Sequence, residues 1–302
     1  MAIYHFSAQV ISRSQGRSSV AASAYRSAEK LMDDRTGLNH DFTKKSDVIE
    51  KDILLPKDAP EWMGDREKLW NGVEQAEKRK DAQLAREINI ALPRELSPEQ
   101  NWELLKSFVE KEFVDNGMVA DVAFHRGHKG GEDQPHGHVM LTMREVTPEG
   151  FGQKVRAWND KALLNDWREH WAEHCNLELA KQGFDLRIDN RTLEAQGINL
   201  EAQSKIGPKE AQRAMARFAE HQALAERNGE RLLKEPEIAL TAITRQQSTF
   251  THQDLARFVN RHTVDAEQFD AVYAKVKSHP DLVLLGQDDR GRDRFTTREL
   301  LA

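Results

Sequence analysis

Gln134-Pro135-His136-Gly137-His138-Val139-Met140-Leu141-Thr142 sets two histidines two residues apart at the head of an apolar run. The run reads as a buried strand. Side chains alternate faces along a strand, so His136 and His138 project from one side. Two imidazoles on one face can share a metal ion. Upstream, Val119-Ala120-Asp121-Val122-Ala123-Phe124-His125 is a second strand-like run, and it ends in histidine. The turn-rich segment Gly127-His128-Lys129-Gly130-Gly131-Glu132-Asp133 joins the two as a long-looped hairpin. Pairing of the runs brings His125 beside His136 and His138 and completes a three-histidine site. A lone His-x-His pair is as readily a polar strand end; the third histidine tips the reading to metal. His128 competes with His125 for the third position, and His125 is preferred because it ends a strand.

Composition bounds the rest. A chain of 302 residues suggests one large domain, or one with a small appendage. Its apolar runs fall far short of the ~20 residues a membrane span needs, so no membrane insertion is expected. The start, Met1-Ala2-Ile3-Tyr4-His5-Phe6, lacks the basic and apolar segments of a signal peptide. The single cysteine, Cys175, excludes an internal disulfide and a cysteine zinc cage, and a cytoplasmic setting follows as the default. A net charge of −6 argues against bulk attraction to nucleic acid. Residues 1–30 nevertheless carry Arg13, Arg17, Arg26 and Lys30 against Glu29 alone.

Alternation over Ala2–Val10 and Ala85–Leu92 predicts strands, the second with Glu87, Asn89 and Ala91 on one face. Ser18 or Ser19 caps a helix running to about Leu31, and residues 38–55 read as a two-stranded ribbon. Helices follow after Pro60, from Ser97 to about Gly117, and from Asp160 to Gly183. The expected fold is α+β: an antiparallel five-strand-type sheet with helices mainly on one face. Past Phe184 the chain is irregular to Pro208, then forms a charged helix over 207–229. Three short helices and a β-hairpin then suggest a winged-helix-like unit. The expected organisation is a domain over 1–210, a helical linker over 211–235, and the winged-helix-like unit over 236–302.

Placement of the three tyrosines is informative. Tyr4 and Tyr273 read as packing residues, whereas Tyr25 lies among Ser23, Ala24, Ser27 and Ala28 beside Arg26. Small neighbours let a backbone approach the phenol, and Arg13, Arg17 and Arg26 are candidate phosphate contacts. The bland alternative is a tyrosine packed among alanines. A tyrosine nucleophile with a metal site suggests phosphodiester transesterification. The absence of a Gly-x-x-x-x-Gly-Lys-Ser/Thr loop fits, because no nucleotide hydrolysis is needed.

These segments resemble one family. Ala2-Ile3-Tyr4-His5-Phe6-Ser7-Ala8, Ser12-Arg13-Ser14 with Arg17-Ser18, and Ala24-Tyr25-Arg26 look like the first motif of MobA/MobL-type plasmid relaxases, nearest the TraA branch. Arg86-Glu87-Ile88-Asn89-Ile90-Ala91-Leu92-Pro93 matches the second motif. His125 with Pro135-His136-Gly137-His138 matches the metal motif of histidine–hydrophobe–histidine endonucleases. Arg191-Thr192-Leu193-Glu194-Ala195-Gln196-Gly197-Ile198 and Ile206-Gly207-Pro208 resemble the segment closing the domain. The likeness spans about residues 1–210.

The resemblance implies Tyr25 as nucleophile, Glu87 as an acidic active-site residue, and His125, His136 and His138 as ligands of a divalent ion. Glu87 would orient a ligand histidine or assist proton transfer from Tyr25. Two departures stand out: Gly137 replaces the hydrophobe between the histidines, and Asn89 stands where relatives often carry a second carboxylate. Mn2+ or Mg2+ is the expected ion, with Ni2+, Co2+ or Zn2+ also suited to three neutral imidazoles. The implied activity is nicking and rejoining of one DNA strand at a plasmid transfer origin through a 5′-phosphotyrosyl intermediate. The implied partners are single-stranded or locally melted origin DNA, accessory relaxosome proteins and a type IV secretion coupling protein. The setting would be the bacterial cytoplasm, with transfer to the recipient cell attached to DNA, and the C-terminal unit would begin a longer helicase region. The alternatives are a rolling-circle replication initiator, in which the tyrosine usually follows the histidines, a metal-dependent phosphodiester hydrolase, and a DNA-binding module with inert histidines.

Overall fold

The computed structural model describes residues 4–129, 132–203 and 211–302. Contacts divide the chain into Ala2–Gln182 and Gly183–Ala302, upstream of the boundary at residue 210 read from the sequence.

In the first unit, β1 (Phe6–Ser12) leads into α1 (Ser19–Ser27), capped by the Ser18 hydroxyl, which accepts from the Ala21 amide at 3.2 Å. The helix stops short of the expected Leu31 because Ala28 turns left-handed at φ 54°. Leu31 instead enters β2 (Lys30–Asp33), which pairs with β3 (Leu38–Asp41). The ribbon expected over 38–55 is thereby corrected: its second half, β4 (Val48–Leu54), leaves β3 and becomes an edge of the main sheet. Then come α2 (Arg66–Ala76), β5 (Gln83–Ala91) and α3 (Pro98–Val109), whose Ser97–Gln100 capping box fits the Pro98 start. β6 (Ala120–His125), a short ribbon of β7 (His128–Lys129) and β8 (Glu132–Asp133), and β9 (His136–Leu141) follow. A second ribbon, β10 (Arg144–Thr147) with β11 (Gly150–Lys154), precedes α4 (Lys161–Lys181).

The main sheet has the order β1-β5-β9-β6-β4, antiparallel throughout. Its register sets the site. His125 lies opposite His136, His138 lies between Ala123 and Asn89, and Glu87 lies between Met140 and Gln9. All of these share one face, because paired positions project together.

Helices cover both faces, which corrects the one-sided expectation. On the reverse face, Phe108 of α3 meets Phe6 and Trp171 edge-on, and the Arg86 guanidinium lies over Trp167 of α4. On the histidine face, Ile11, Ala85 and Met140 join a core with Val20 and Ala24 of α1 and Leu69, Trp70 and Val73 of α2. That core fills one end of the face and leaves the other end to the histidines.

The second unit carries α5 (Ala211–Lys234), α6 (Glu237–Thr244), β12 (Phe250–Thr251), α7 (His252–Arg261), α8 (Ala266–Lys277), β13 (Leu282–Gln287), β14 (Asp293–Thr297) and α9 (Arg298–Leu301). The three short helices and the hairpin expected here are present, with β12 adding a third strand to the hairpin. The helix expected to end at Gly229 continues to Lys234, because Gly229 serves close packing. A Cβ there would lie 2.2 Å from the Gln268 side chain on α8. Leu232 of α5 is fully buried in the core of this unit, so the segment expected as a linker is part of it. Among the described residues, no helix is long and apolar enough to cross a membrane.

Candidate metal centre and nucleophile

The hairpin and register deliver the three histidines together. Ligand atoms of His125, His136 and His138 all lie within 4.8 Å of one another. Their ring centroids are 4.7 to 5.3 Å apart. The side chain of His128, the competing third ligand, lies outside the described residues, as does the Ile206-Gly207-Pro208 motif.

Each imidazole is held from behind. His136 Nδ1–H donates to the Gln134 carbonyl at 2.8 Å, and His138 Nδ1–H to a Glu87 carboxylate oxygen at 3.2 Å. His125 Nε2–H donates to the Arg26 carbonyl at 2.7 Å. One nitrogen of each ring is thus spent on orientation, and Nε2 of His136 and His138 and Nδ1 of His125 are left to ligate. Burial, reinforced by the mutual repulsion of His138, pushes the His125 imidazole down to about 4, and burial lowers His136 as well. Both rings are therefore neutral near pH 7, the form a metal requires. Three converging, oriented imidazoles fit a divalent ion.

Gly127 and Gly137 make this packing possible. Gly127 has φ +59°, and a Cβ on it would stand 2.7 Å from the His136 ring. A Cβ on Gly137 would stand 2.6 Å from Leu105 Cδ2 on the reverse face. The departure from a hydrophobe between the histidines therefore lets α3 press against the back of β9.

Glu87 is buried, with 2% of its surface exposed. Burial alone would raise its pKa; the His138 hydrogen bond and the Arg26 guanidinium overcome this and hold the carboxyl at about 2. Arg26 also pairs with it through Nε, Gln9 donates to it, and Arg17 lies 3.6 Å away. Asn89 sits on the same face opposite His138, and His5 is bonded to Ser7.

Tyr25 projects from the last turn of α1 and is 48% exposed, so it is no packed alanine-pocket tyrosine. Its ring meets Phe42 edge-on at 5.2 Å. The adjacent Arg26 carbonyl is the acceptor for His125, which ties the turn carrying Tyr25 to the histidines. A buried aspartate anchors the same helix one turn back. Asp121 accepts from Ser23 Oγ at 2.6 Å, Trp70 Nε1 at 2.8 Å and Arg66 Nε at 3.0 Å.

The three arginines part company. Arg17 and Arg26 flank Glu87, whereas Arg13 is bound elsewhere. Its guanidinium donates to the Glu74 carboxylate and to the carbonyls of Glu74, Glu77 and Arg79. Sequence reading missed Asp121, because a lone aspartate in an apolar strand carries no spacing signal. It also missed Lys45 and Asp47, which lie in the connection between β3 and β4.

Comparison with known proteins agrees with this geometry. A solved structure described as "Molecular Basis of Vancomycin Resistance Transfer in Staphylococcus aureus" superposes at a TM-score of 0.57 with 37% identity, covering 63% of this chain and 100% of that one. The MobA/MobL family matches residues 17–217, and the chain belongs to that family. The conjugal transfer protein TraA of Agrobacterium fabrum (strain C58 / ATCC 33970) is 36% identical, covering 100% of this chain and 32% of its own length. The mobilization protein MobL of Acidithiobacillus ferridurans is also 36% identical, over 69% of this chain and 62% of its own length. The chain thus spans about a third of the TraA protein.

Proposed function

We propose that this chain nicks and rejoins one DNA strand at a plasmid transfer origin, with Tyr25 as nucleophile and His125, His136 and His138 as metal ligands. The observation that carries the reading is the bond from His125 to the Arg26 carbonyl, which joins the turn bearing an exposed tyrosine to three converging imidazoles. His125, His136 and His138 would hold a divalent ion, Mn2+ or Mg2+ foremost, which would supply positive charge to offset that of the scissile phosphate.

The Tyr25 phenol gives up its proton to solvent, its oxygen attacks phosphorus, the bond to the 3′ oxygen breaks, and that oxygen takes up a proton from solvent. The products are a 5′-phosphotyrosyl link and a free 3′ hydroxyl, and attack by that hydroxyl reverses the step. The energy of the broken ester is kept in the new one. Glu87 acts by holding His138; a carboxyl at about 2 is too weak a base to take a phenol proton. Arg26 neutralises Glu87, and Arg17 is the phosphate contact at the site. Arg17 also lines, with Arg35, Lys78, Arg79 and Lys80, an open basic cleft in which a strand's phosphates can lie; Arg13 borders it with its guanidinium committed to Glu74 and three carbonyls.

Single-stranded or locally melted origin DNA is the substrate, because the phenol must reach an accessible backbone. Residues 1–210 carry the nicking activity, and residues 236–302 contribute a second DNA contact or lead into a helicase region. Accessory relaxosome proteins and a secretion coupling protein complete the assembly. The protein acts in the bacterial cytoplasm and passes to the recipient attached to the transferred strand.

The test incubates wild type and Tyr25→Phe with an origin oligonucleotide and Mn2+, followed by a denaturing gel. A protein–DNA adduct from wild type alone supports the proposal. Cleavage by both without adduct would replace it with a hydrolase acting through metal-bound water.

A further inference from the structure

Lys45 lies in the connection between β3 and β4, where no motif marks it. Its ammonium stands 3.9 Å from the centre of the Tyr25 ring. It also donates to the Tyr25 carbonyl at 3.1 Å, so it grips both the side chain and the backbone of that residue. On its other side it pairs with Asp47 Oδ1 at 3.6 Å. The second oxygen of Asp47 lies 3.5 Å from His125 Nδ1. Asp47 is itself held in place, because its carbonyl accepts from the Arg126 amide just beyond β6.

The result is a chain of contacts from the phenol ring, through Lys45, to Asp47, whose backbone is bonded to Arg126, the residue next to His125. Phe42 meets the same ring edge-on at 5.2 Å. A half-exposed tyrosine on a helix end would otherwise sample several rotamers, and only one of them aims its oxygen at a phosphate beside the histidines.

We infer that Lys45 is a positioning residue for the reaction: it holds the Tyr25 ring and backbone and, through Asp47 and its bond to Arg126, sets them relative to the strand end that carries His125. The inference rests on the proposal that Tyr25 is the nucleophile. Lys45 acts through Tyr25 and is separate from the pairs that orient the histidines from behind. Its charge lies over the phenol ring, so a phosphate approaching the phenol also meets a compensating cation there. Arginine can reproduce the ring contact and the carboxylate pairing; methionine keeps the length and loses both.

The experiment compares wild type, Lys45→Met and Lys45→Arg in two readouts. The first is the 19F spectrum of protein labelled with 3-fluorotyrosine, in which Tyr25→Phe assigns the Tyr25 signal. That signal should shift in Lys45→Met and stay near its wild-type position in Lys45→Arg, while the Tyr4 and Tyr273 signals stay put. The second is the single-turnover rate of adduct formation on an origin oligonucleotide with Mn2+, alongside the dissociation constant measured with the metal chelated. The rate for Lys45→Met should fall about tenfold to a hundredfold with binding changed less than about threefold, and Lys45→Arg should recover most of it. A Lys45→Met rate within twofold of an active wild type overturns the inference and leaves the proposed function standing. An unmoved 19F signal overturns it whatever the rates. A wild type that forms no adduct overturns both.

Discussion

Replacing Gly137 with alanine tests whether the sheet is as tightly backed as the histidine pair requires. The added Cβ would stand 2.6 Å from Leu105 Cδ2, 2.8 Å from Cδ1 and 3.3 Å from Cγ. Leu105 is fully buried, so its side chain cannot swing aside without disturbing its neighbours. Overpacking of this kind costs about 1–3 kcal/mol. Alanine recovers about 0.5–1 kcal/mol of backbone entropy in a strand interior. The net effect expected from these two principles is about 1–2 kcal/mol of destabilisation. With a urea m-value of about 2 kcal/mol/M, the midpoint falls by roughly 0.5–1 M. Leu105→Ala removes all three crowding atoms and by itself costs about 2–5 kcal/mol. In that background Gly137→Ala should become neutral or stabilising, giving a coupling of about 1.5–3 kcal/mol across the double-mutant cycle. Tryptophan fluorescence is the fitting probe, since all six tryptophans lie within Ala2–Gln182. The same displacement moves both histidines, so Mn2+ affinity should fall in the single variant and recover in the double. Equal destabilisation in both backgrounds, or none in either, refutes the close-packing account.

Glu87→Gln keeps the shape but loses the charge that orients His138, so Mn2+ affinity by calorimetry should drop about 10–100-fold; an unchanged affinity removes Glu87 from the metal site. In the second unit, burial pushes the His262 imidazole down to about 4, with the Arg261 charge adding to it. Because the unfolded chain takes the proton near 6.5 and the folded one only near 4, stability is complete above pH 6.5. It should fall by up to about 3 kcal/mol on the way to pH 4. Amide exchange in α7 and α8 measures this, and His262→Phe should flatten the profile; a wild-type profile already flat would contradict it. Burial raises the Cys175 thiol to about 12, so a disulfide reagent at pH 8 should label it only after denaturation, and prompt labelling of native protein would be inconsistent with its burial.

The histidine centre was legible because the chemistry coincides with a period of two. His136 and His138 alternate with Gly137 and Val139, and the intervening loop is long enough for a hairpin that returns His125 alongside. The strand of Glu87 was legible for the same reason, since Ile88 and Ile90 mark its other face. Cap residues such as Ser18, Ser97 and Asp160 reported helix starts directly. Pairing between distant strands was not legible. Nothing in Val48–Leu54 says that it joins β6 rather than β3, because edge strands carry weak alternation. Arg13 illustrates a different limit: a basic residue near the nucleophile looks like a phosphate contact, but Glu74 and three carbonyls, brought in by α2 and the segment after it, occupy it instead. Lys45 and Asp47 could not be singled out, since their significance lies in what a turn brings near.

The strand order also governs how the molecule comes to exist. Within β1-β5-β9-β6-β4, only β6 and β9 are joined by a local hairpin; Gln9 meets Glu87, Asn89 meets His138 and Asp52 meets Val122. Each of these closures spans more than forty residues of intervening chain, and nonlocal pairing of that kind makes folding slow. The histidines themselves come from the local hairpin, but the residues that orient two of them, Arg26 and Glu87, arrive through the distant closures. On the ribosome, Arg26 and Glu87 emerge first, and the imidazoles lack these supports until the hairpin docks beside β5. Metal captured at that stage would be held loosely, and tight binding would coincide with completion of the sheet. Nicking competence is then acquired in one late step rather than accumulated during synthesis.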